Sequence, residues 1–200
     1  MTPTPISSPG GALARLTEAL GPDAKRKGPP PVERWNPAYC GEIDMRIAAD
    51  GTWHYMGSPI NRPALVKLFS TVLRKDPERY VLVTPVERVG IIVEDAPFLA
   101  VEMAVEGEGG ERQIAFRTNV DDLVQVRMER PLRFDLASDG GVKPYVKVRG
   151  DLWARVTRAL ALDLIALGEE REVEGEALFG VAAGGSFFPI APAAVLGDMR

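Results

Sequence analysis

This chain has one cysteine and one histidine in 200 residues, and each scarcity removes a class of chemistry. A lone Cys40 excludes an intrachain disulfide framework. With His54 as the sole imidazole, a Cys/His zinc site cannot be assembled either. Basic charge is also short: the formal net charge is −4, so the chain lacks the global positive field that drives phosphate-backbone binding. That argues against large nucleic acids as partners while leaving room for a pocket that takes one nucleotide. No apolar run approaches the length that spans a bilayer, and residues 1–11 lack the basic start and apolar core of an export signal. The cytoplasm, away from the membrane, is therefore the expected compartment. The familiar catalytic templates are missing too: no Gly-rich loop ending in Lys-Ser or Lys-Thr, no helix with paired histidines, no Gly-x-Ser-x-Gly turn. What remains is a chain with 46% apolar and 26% charged residues, the balance of a globular protein long enough to bury a core in one large or two small domains.

The strongest positive signal is a repeat. Ile43, Met45 and Ile47 alternate into Asp50-Gly51, while Leu132, Phe134 and Leu136 alternate into Asp139-Gly140, an offset of 89 positions (132 − 43). Farther on, Val89-Gly90-Ile91 and Phe98 have counterparts in Phe179-Gly180-Val181 and Phe188, an offset of 90 (180 − 90). A period of one small domain predicts two similar units rather than a solenoid, and a seam between such units is where a ligand is expected.

Residues 1–37 read as a flexible arm: a short helix at 12–20, then Lys25-Arg26-Lys27 and a Pro-rich linker. Residues 38–95 read as an N-terminal α+β domain. Its first hairpin turns at Asp50-Gly51 and breaks at Gly57-Ser58-Pro59; a helix then begins at Pro63, presents Leu65, Leu68, Phe69, Val72 and Leu73 on one face with Lys67, Ser70, Thr71 and Arg74 turned outward, and stops at Asp76-Pro77. Residues 96–200 read as a β-rich domain with one long helix from a cap at Asp151, through Leu152, Trp153, Val156, Leu160 and Leu164, to a stop at Gly168. The closing apolar stretch, interrupted by Gly184-Gly185, reads as a bulged hairpin and not a phosphate loop, because no lysine or helix follows. The fold class is α+β, internally duplicated, built of antiparallel β-hairpins with one main helix per unit.

For chemistry, six residues combine the right types. Trp35 and Tyr145 offer faces on which a base stacks, Asn119 offers an amide for its edge, and Arg62, Arg117 and Arg149 offer guanidinium forks for phosphate. His54, flanked by Trp53 and Tyr55, reads as a surface or hydrogen-bonded residue, and Cys40 as a small buried one. Glu94-Asp95 and Asp121-Asp122 have the oxygens for a divalent cation, but turn and capping roles account for them with less. No metal and no cofactor is assigned.

The segments Trp35-Asn36-Pro37, Cys40-Gly41-Glu42-Ile43-Asp44, Thr84-Pro85-Val86-Glu87-Arg88-Val89-Gly90, Thr118-Asn119 and Gly184-Gly185-Ser186-Phe187-Phe188-Pro189 together resemble the bacterial family named domain of unknown function 1285. The resemblance covers most of the chain after residue 34. It implies a duplicated core, a second domain similar to pleckstrin-homology-like β rolls, and a ligand site between the domains for a nucleotide-like molecule in signalling. It brings no catalytic residues.

The leading functional expectation is a non-catalytic cytoplasmic sensor that binds a small anionic ligand through the six residues above and signals to a protein partner. The alternative is a protein-binding adaptor or scaffold. An enzyme comes third, resting on Glu87, Glu94 or Asp95 as acid or base.

Overall fold

The computed structural model describes residues 30–136 and 141–194. The expected helix at 12–20, the Lys25-Arg26-Lys27 triplet and the Asp139-Gly140 turn lie outside the described residues. The chain divides into two compact units, Met1–Asp95 and Ala96–Arg200. It is a two-domain, mostly β protein with two described α-helices. Neither helix is long and apolar enough to cross a membrane.

The first unit opens with a 3-10 turn, Val32–Arg34, which buries Val32 inside the stretch expected to be linker. Strand β1 (Tyr39–Ile47) follows and buries Met45 and Ile47 by alternation. Cys40, expected to be buried, is exposed near the start of this strand, before the alternation takes hold. Strand β1 pairs antiparallel with β2 (Trp53–Tyr55). The loop between them is longer than the two residues expected: Ala48 N–H donates to Thr52 O at 2.9 Å, and Gly51 takes the left-handed φ of +82° that such a loop needs. The expected break after β2 is instead a second tight turn at Met56-Gly57, both at positive φ, leading into β3 (Ser58–Pro59). Helix α1 (Pro63–Thr71) begins at its proline and ends before the expected stop at Asp76-Pro77, because Leu73–Lys75 already form β4. Ser70 and Arg74 are buried and not outward: the Ser70 hydroxyl donates to Lys67 O at 2.7 Å, which makes that burial inexpensive, and Arg74 lies in β4 instead of on the helix. Strands β5 (Tyr80–Val83) and β6 (Arg88–Val93) complete one six-stranded sheet, ordered β3-β2-β1-β6-β5-β4. Its central β1/β6 pairing is parallel. Phe69 stacks on Trp53 at 6.4 Å to anchor α1 on the sheet.

The second unit begins with β7 (Phe98–Glu106), β8 (Gln113–Thr118) and β9 (Leu123–Gln125), an antiparallel meander. Strands β10 (Leu132–Leu136) and β11 (Val142–Arg149) pair antiparallel, and β11 pairs with β12 (Leu152–Val156). A parallel β12/β7 ladder joins both groups into the order β10-β11-β12-β7-β8-β9. Here the expected long helix is corrected. Leu152, Ala154 and Val156 are buried while Trp153 and Arg155 are half-buried, the period-two pattern of a strand. Helix α2 (Arg158–Ala166) starts only after Thr157. Strands β13 (Glu169–Val173), β14 (Glu176–Ala183) and β15 (Ser186–Pro192) form a separate three-stranded sheet. Gly184 and Gly185, at φ of +57° and +75°, make its two-residue hairpin tip.

Both units contain three strands, a helix and three strands: β1 to β3, α1 and β4 to β6, then β10 to β12, α2 and β13 to β15. This order fits the duplication. The detailed register does not hold past the helices, since Gly90 lies in the third strand after α1 whereas Gly180 lies in the second after α2. The three-strand meander β7 to β9 is an addition of the second unit.

Candidate functional site

The six candidate ligand residues fall in different settings. In the first unit, Trp35 is half-buried and its carbonyl accepts a hydrogen bond from Arg74 Nη1 at 2.7 Å, while Arg62 is exposed at the start of α1. In the second unit, three of the remaining four gather on the turn between β8 and β9. Thr118 Oγ1 accepts from Asp122 N at 3.0 Å and fixes that turn. Asn119 Oδ1 accepts from Leu99 N at 3.0 Å while Asn119 N donates to Leu99 O at 2.8 Å, so its amide clamps β7. Arg117 pairs with Glu102 and, at 3.0 Å, with Asp121; these carboxylates raise its pKa, Glu102 foremost. Arg149 pairs with Asp122 at 2.7 Å and lies 5.2 Å over the Phe98 ring. Tyr145 is buried, with the Arg133 guanidinium 4.6 Å above its ring. Arg117 and Arg149 thus already hold carboxylates of this chain.

The first unit carries a polar network that no sequence spacing announces. Arg74, only 8% exposed, donates to Val32 O at 2.8 Å, to Trp35 O and to Asp76 Oδ1 at 2.7 Å. Asp76 also accepts from Arg88 at 3.0 Å. Arg79 sits 4.7 Å over the Tyr39 ring, and a hydrogen bond with Tyr39 raises its pKa. Tyr39, Asp76, Arg79 and Arg88 border a cavity of about 340 Å³. Tyr39 in turn lies across Gly90, where a Cβ would come within 2.6 Å of the phenolic oxygen. Thus the Thr84-to-Gly90 segment is a turn, held by Thr84 Oγ1 accepting from Glu87 N at 3.1 Å, followed by a strand that must be bare where tyrosine crosses it.

The carboxylates considered for acid–base work include one, Glu94, that is drawn toward its ionised form. Glu94 Oε2 accepts from Ala49 N at 2.9 Å, and this bond, with Arg46 beside it, lowers its pKa. Two further carboxyls move the same way: Asp50 is lowered by hydrogen bonds from Thr52, and Glu102 by Arg117. A catalytic acid at neutral pH needs the opposite displacement. Among the described residues no cluster of three His, Cys, Asp or Glu has the arrangement to hold a metal ion.

A second, larger cavity of about 430 Å³ opens in the second unit, between β11, the end of β12 and helix α2. Three cations line it: Lys143, Arg155 and Arg158. Among the described residues its wall has no carboxylate and no aromatic ring; Pro144, Val156, Leu162 and Ile165 make most of the rest. Arg158, Leu162 and Ile165 fall at i, i+4 and i+7, one stripe of α2. Lys143 lies two positions from Tyr145, the register partner of Arg155, so both cations sit on one face of the sheet. Asp135, opposite Lys143 in the ladder, is 3.0 Å from Arg133 instead. Sequence reasoning misses these residues because it places Arg155 and Arg158 in a single helix. The signal that separates them is the alternation Leu152, Ala154, Val156 followed by Thr157, a residue suited to a helix start.

A duplicated, mostly β chain of two domains, with cavities but no assembled catalytic constellation among its described residues, defines the class. The family model described as domain of unknown function (DUF1285), N-terminal domain, matches residues 30–96, and the DUF1285 C-terminal domain model matches residues 97–190. The chain belongs to the DUF1285 family. A crystal structure of a DUF1285 family protein from Silicibacter pomeroyi DSS-3 is similar at 46% identity and a TM-score of 0.79, over 86% of this chain and 93% of that one. A DUF1285 family protein from Shewanella baltica OS155 is similar at 27% identity and a TM-score of 0.51, over 62% of this chain and 91% of that one. A comparison with curated proteins found no match.

Proposed function

We propose that this protein is a non-catalytic cytoplasmic sensor whose C-terminal domain binds a small anionic ligand in the groove of Lys143, Arg155 and Arg158, and that occupancy is passed to a protein partner. The observation that carries this reading is three cations from three elements converging on one wall that, among the described residues, has no carboxylate in its lining. At about 430 Å³ the groove is within the size range of small-molecule sites. An anion reaching Arg117 or Arg149 must displace Glu102, Asp121 or Asp122; in the groove the reading rests on Lys143 and Arg158, from β11 and α2.

The test is a thermal-shift screen against nucleotides, sugar phosphates, carboxylates and alkyl phosphates, repeated on a Lys143→Ala/Arg158→Ala double variant. A ligand at one hundred times its dissociation constant adds about 2.7 kcal/mol, and for a protein of this size each kcal/mol moves the midpoint by about 2–4 °C. A shift with one class that the double variant abolishes supports the reading; a flat screen overturns it.

The adaptor reading, with its pleckstrin-homology-like second domain, is favoured by one observation: edge strand β9 presents Leu123 at 75% exposure. Stoichiometric capture of one partner, lost on Leu123→Asp, supports this alternative.

A further inference from the structure

We infer that the ligand of the C-terminal groove is a free amphiphilic anion, a carboxylate or phosphate monoester carrying an aliphatic chain, and not a nucleotide. This rests on the groove being the binding site proposed above. A nucleotide site needs, besides a flat face on which the base stacks, amide or carboxylate groups for its edge. Among the described residues this wall has guanidiniums at Arg155 and Arg158 but no aromatic ring, and no side-chain amide or carboxylate to read a base edge. Its uncharged part is aliphatic: Pro144, Leu162 and Ile165 stand beside the cations.

Arg158 is the first helical residue, and Leu162 and Ile165 follow on the same stripe toward the C-terminal end. The groove is therefore polarised lengthwise, cationic at the helix start and apolar farther along. The helix start also favours negative charge. Leu162 is 66% exposed, a large aliphatic side chain kept at the lip of the groove at a cost that an alkyl chain lying over it would recover. An anionic head belongs with Arg158 at the helix start, and the chain runs toward Ile165. At about 430 Å³ the groove is at the smaller end of small-molecule sites, which suits a medium-chain acid.

The experiment uses the full chain and isothermal titration with decanoate and decyl phosphate below their micellar concentrations, beside AMP, ATP, inorganic phosphate and vesicles of anionic phospholipid. Decanoate or decyl phosphate is expected to bind and the nucleotides are not. Arg158→Ala should weaken the amphiphile about tenfold, the scale of one charge-assisted hydrogen bond. Leu162→Ser should weaken decyl phosphate while leaving any phosphate binding unchanged. Nucleotide binding without amphiphile binding overturns this inference and leaves the anion-sensor reading standing. Silence from every probe overturns both. Amphiphile binding that ignores Leu162→Ser, or binding to vesicles but not to the free acids, overturns the assignment of a free aliphatic ligand. Circular dichroism of both variants establishes that they fold, and Leu162 is exposed enough for its replacement to be tolerated.

Discussion

Arg74 Nη1 donates to the carbonyl oxygen of Trp35 at 2.7 Å, joining residues 39 positions apart. The same nitrogen takes the carbonyl of Val32, so one buried guanidinium holds both ends of the 3-10 turn against β4. Arg74→Ala is expected to cost about 2–4 kcal/mol, because it leaves two carbonyls and part of Asp76 without their donor. Arg74→Lys should recover only part of this, since an ammonium does not reproduce the fork. Urea unfolding measures the loss, and limited proteolysis around residues 30–37 should show that segment released first.

Two glycines predict different outcomes from the same added methyl. At Gly90 the obstacle is the Tyr39 hydroxyl, 2.6 Å from where a Cβ would stand and carried by a side chain able to swing. At Gly180 it is the Phe188 carbonyl, part of the β15 backbone. Gly90→Ala should cost about 1 kcal/mol and Gly180→Ala about 3 kcal/mol or more, the two ends of the overpacking range. Adding Tyr39→Phe to Gly90→Ala should restore stability, and no comparable side-chain change should rescue Gly180→Ala. Thermal denaturation of the parent and these variants decides this.

Acid should destabilise the fold with a definite sign. Asp50, Glu94 and Glu102 all titrate lower in the folded chain than the ordinary values of 3.8 for Asp and 4.5 for Glu. A carboxyl with a lowered folded pKa binds more protons when unfolded, so its contribution is present above the ordinary value and is lost as pH falls through the lowered one. The urea midpoint should therefore fall below about pH 4.5, and Glu94→Gln should flatten that fall. All three groups are exposed, so salt at about 0.5 M should shrink the difference between Glu94→Gln and the parent.

Arg112 links three parts of the C-terminal domain. Its Nη1 donates to Leu167 O at 2.8 Å at the end of α2, and its carbonyl accepts from Gly184 N at 2.9 Å at the β14–β15 tip. Arg112→Ala removes the first bond and leaves the second, so a loss of about 1–2 kcal/mol is expected. Hydrogen exchange should rise at residues 164–168 with little change at Gly184.

Strands are legible in the sequence where burial is one-sided. Met45 and Ile47, or Ile114 and Phe116, alternate with more exposed neighbours and leave no other reading. The stretch from Leu152 to Leu167 is ambiguous because its apolar residues satisfy two periods at once: Leu152 and Val156, both buried in the strand, also stand four apart as on a helix face that continues through Leu160 and Leu164. The parallel pairings of β1 with β6 and β12 with β7 are hidden for a different reason: partners so far apart leave no local pattern. The groove is hidden for that reason too, since Lys143, Arg155 and Arg158 come from three elements. Conversely, Arg117, Asn119 and Arg149 have the chemical types of a ligand site but serve the β8–β9 turn, which residue type alone does not reveal.

The β12/β7 ladder has a consequence for how the C-terminal domain comes into being. Ala154 pairs with Phe98, so β7 leaves the ribosome 56 residues (154 − 98) before its parallel partner exists. In that interval the meander β7 to β9 forms from local contacts while one side of β7, bearing Phe98 and Ala100, stays open. Pairings of such long sequence separation form slowly, and an open apolar strand edge is a template for other chains. Synthesis through Val156 is thus the vulnerable stage of this domain's folding, and closing β12 onto β7 ends it.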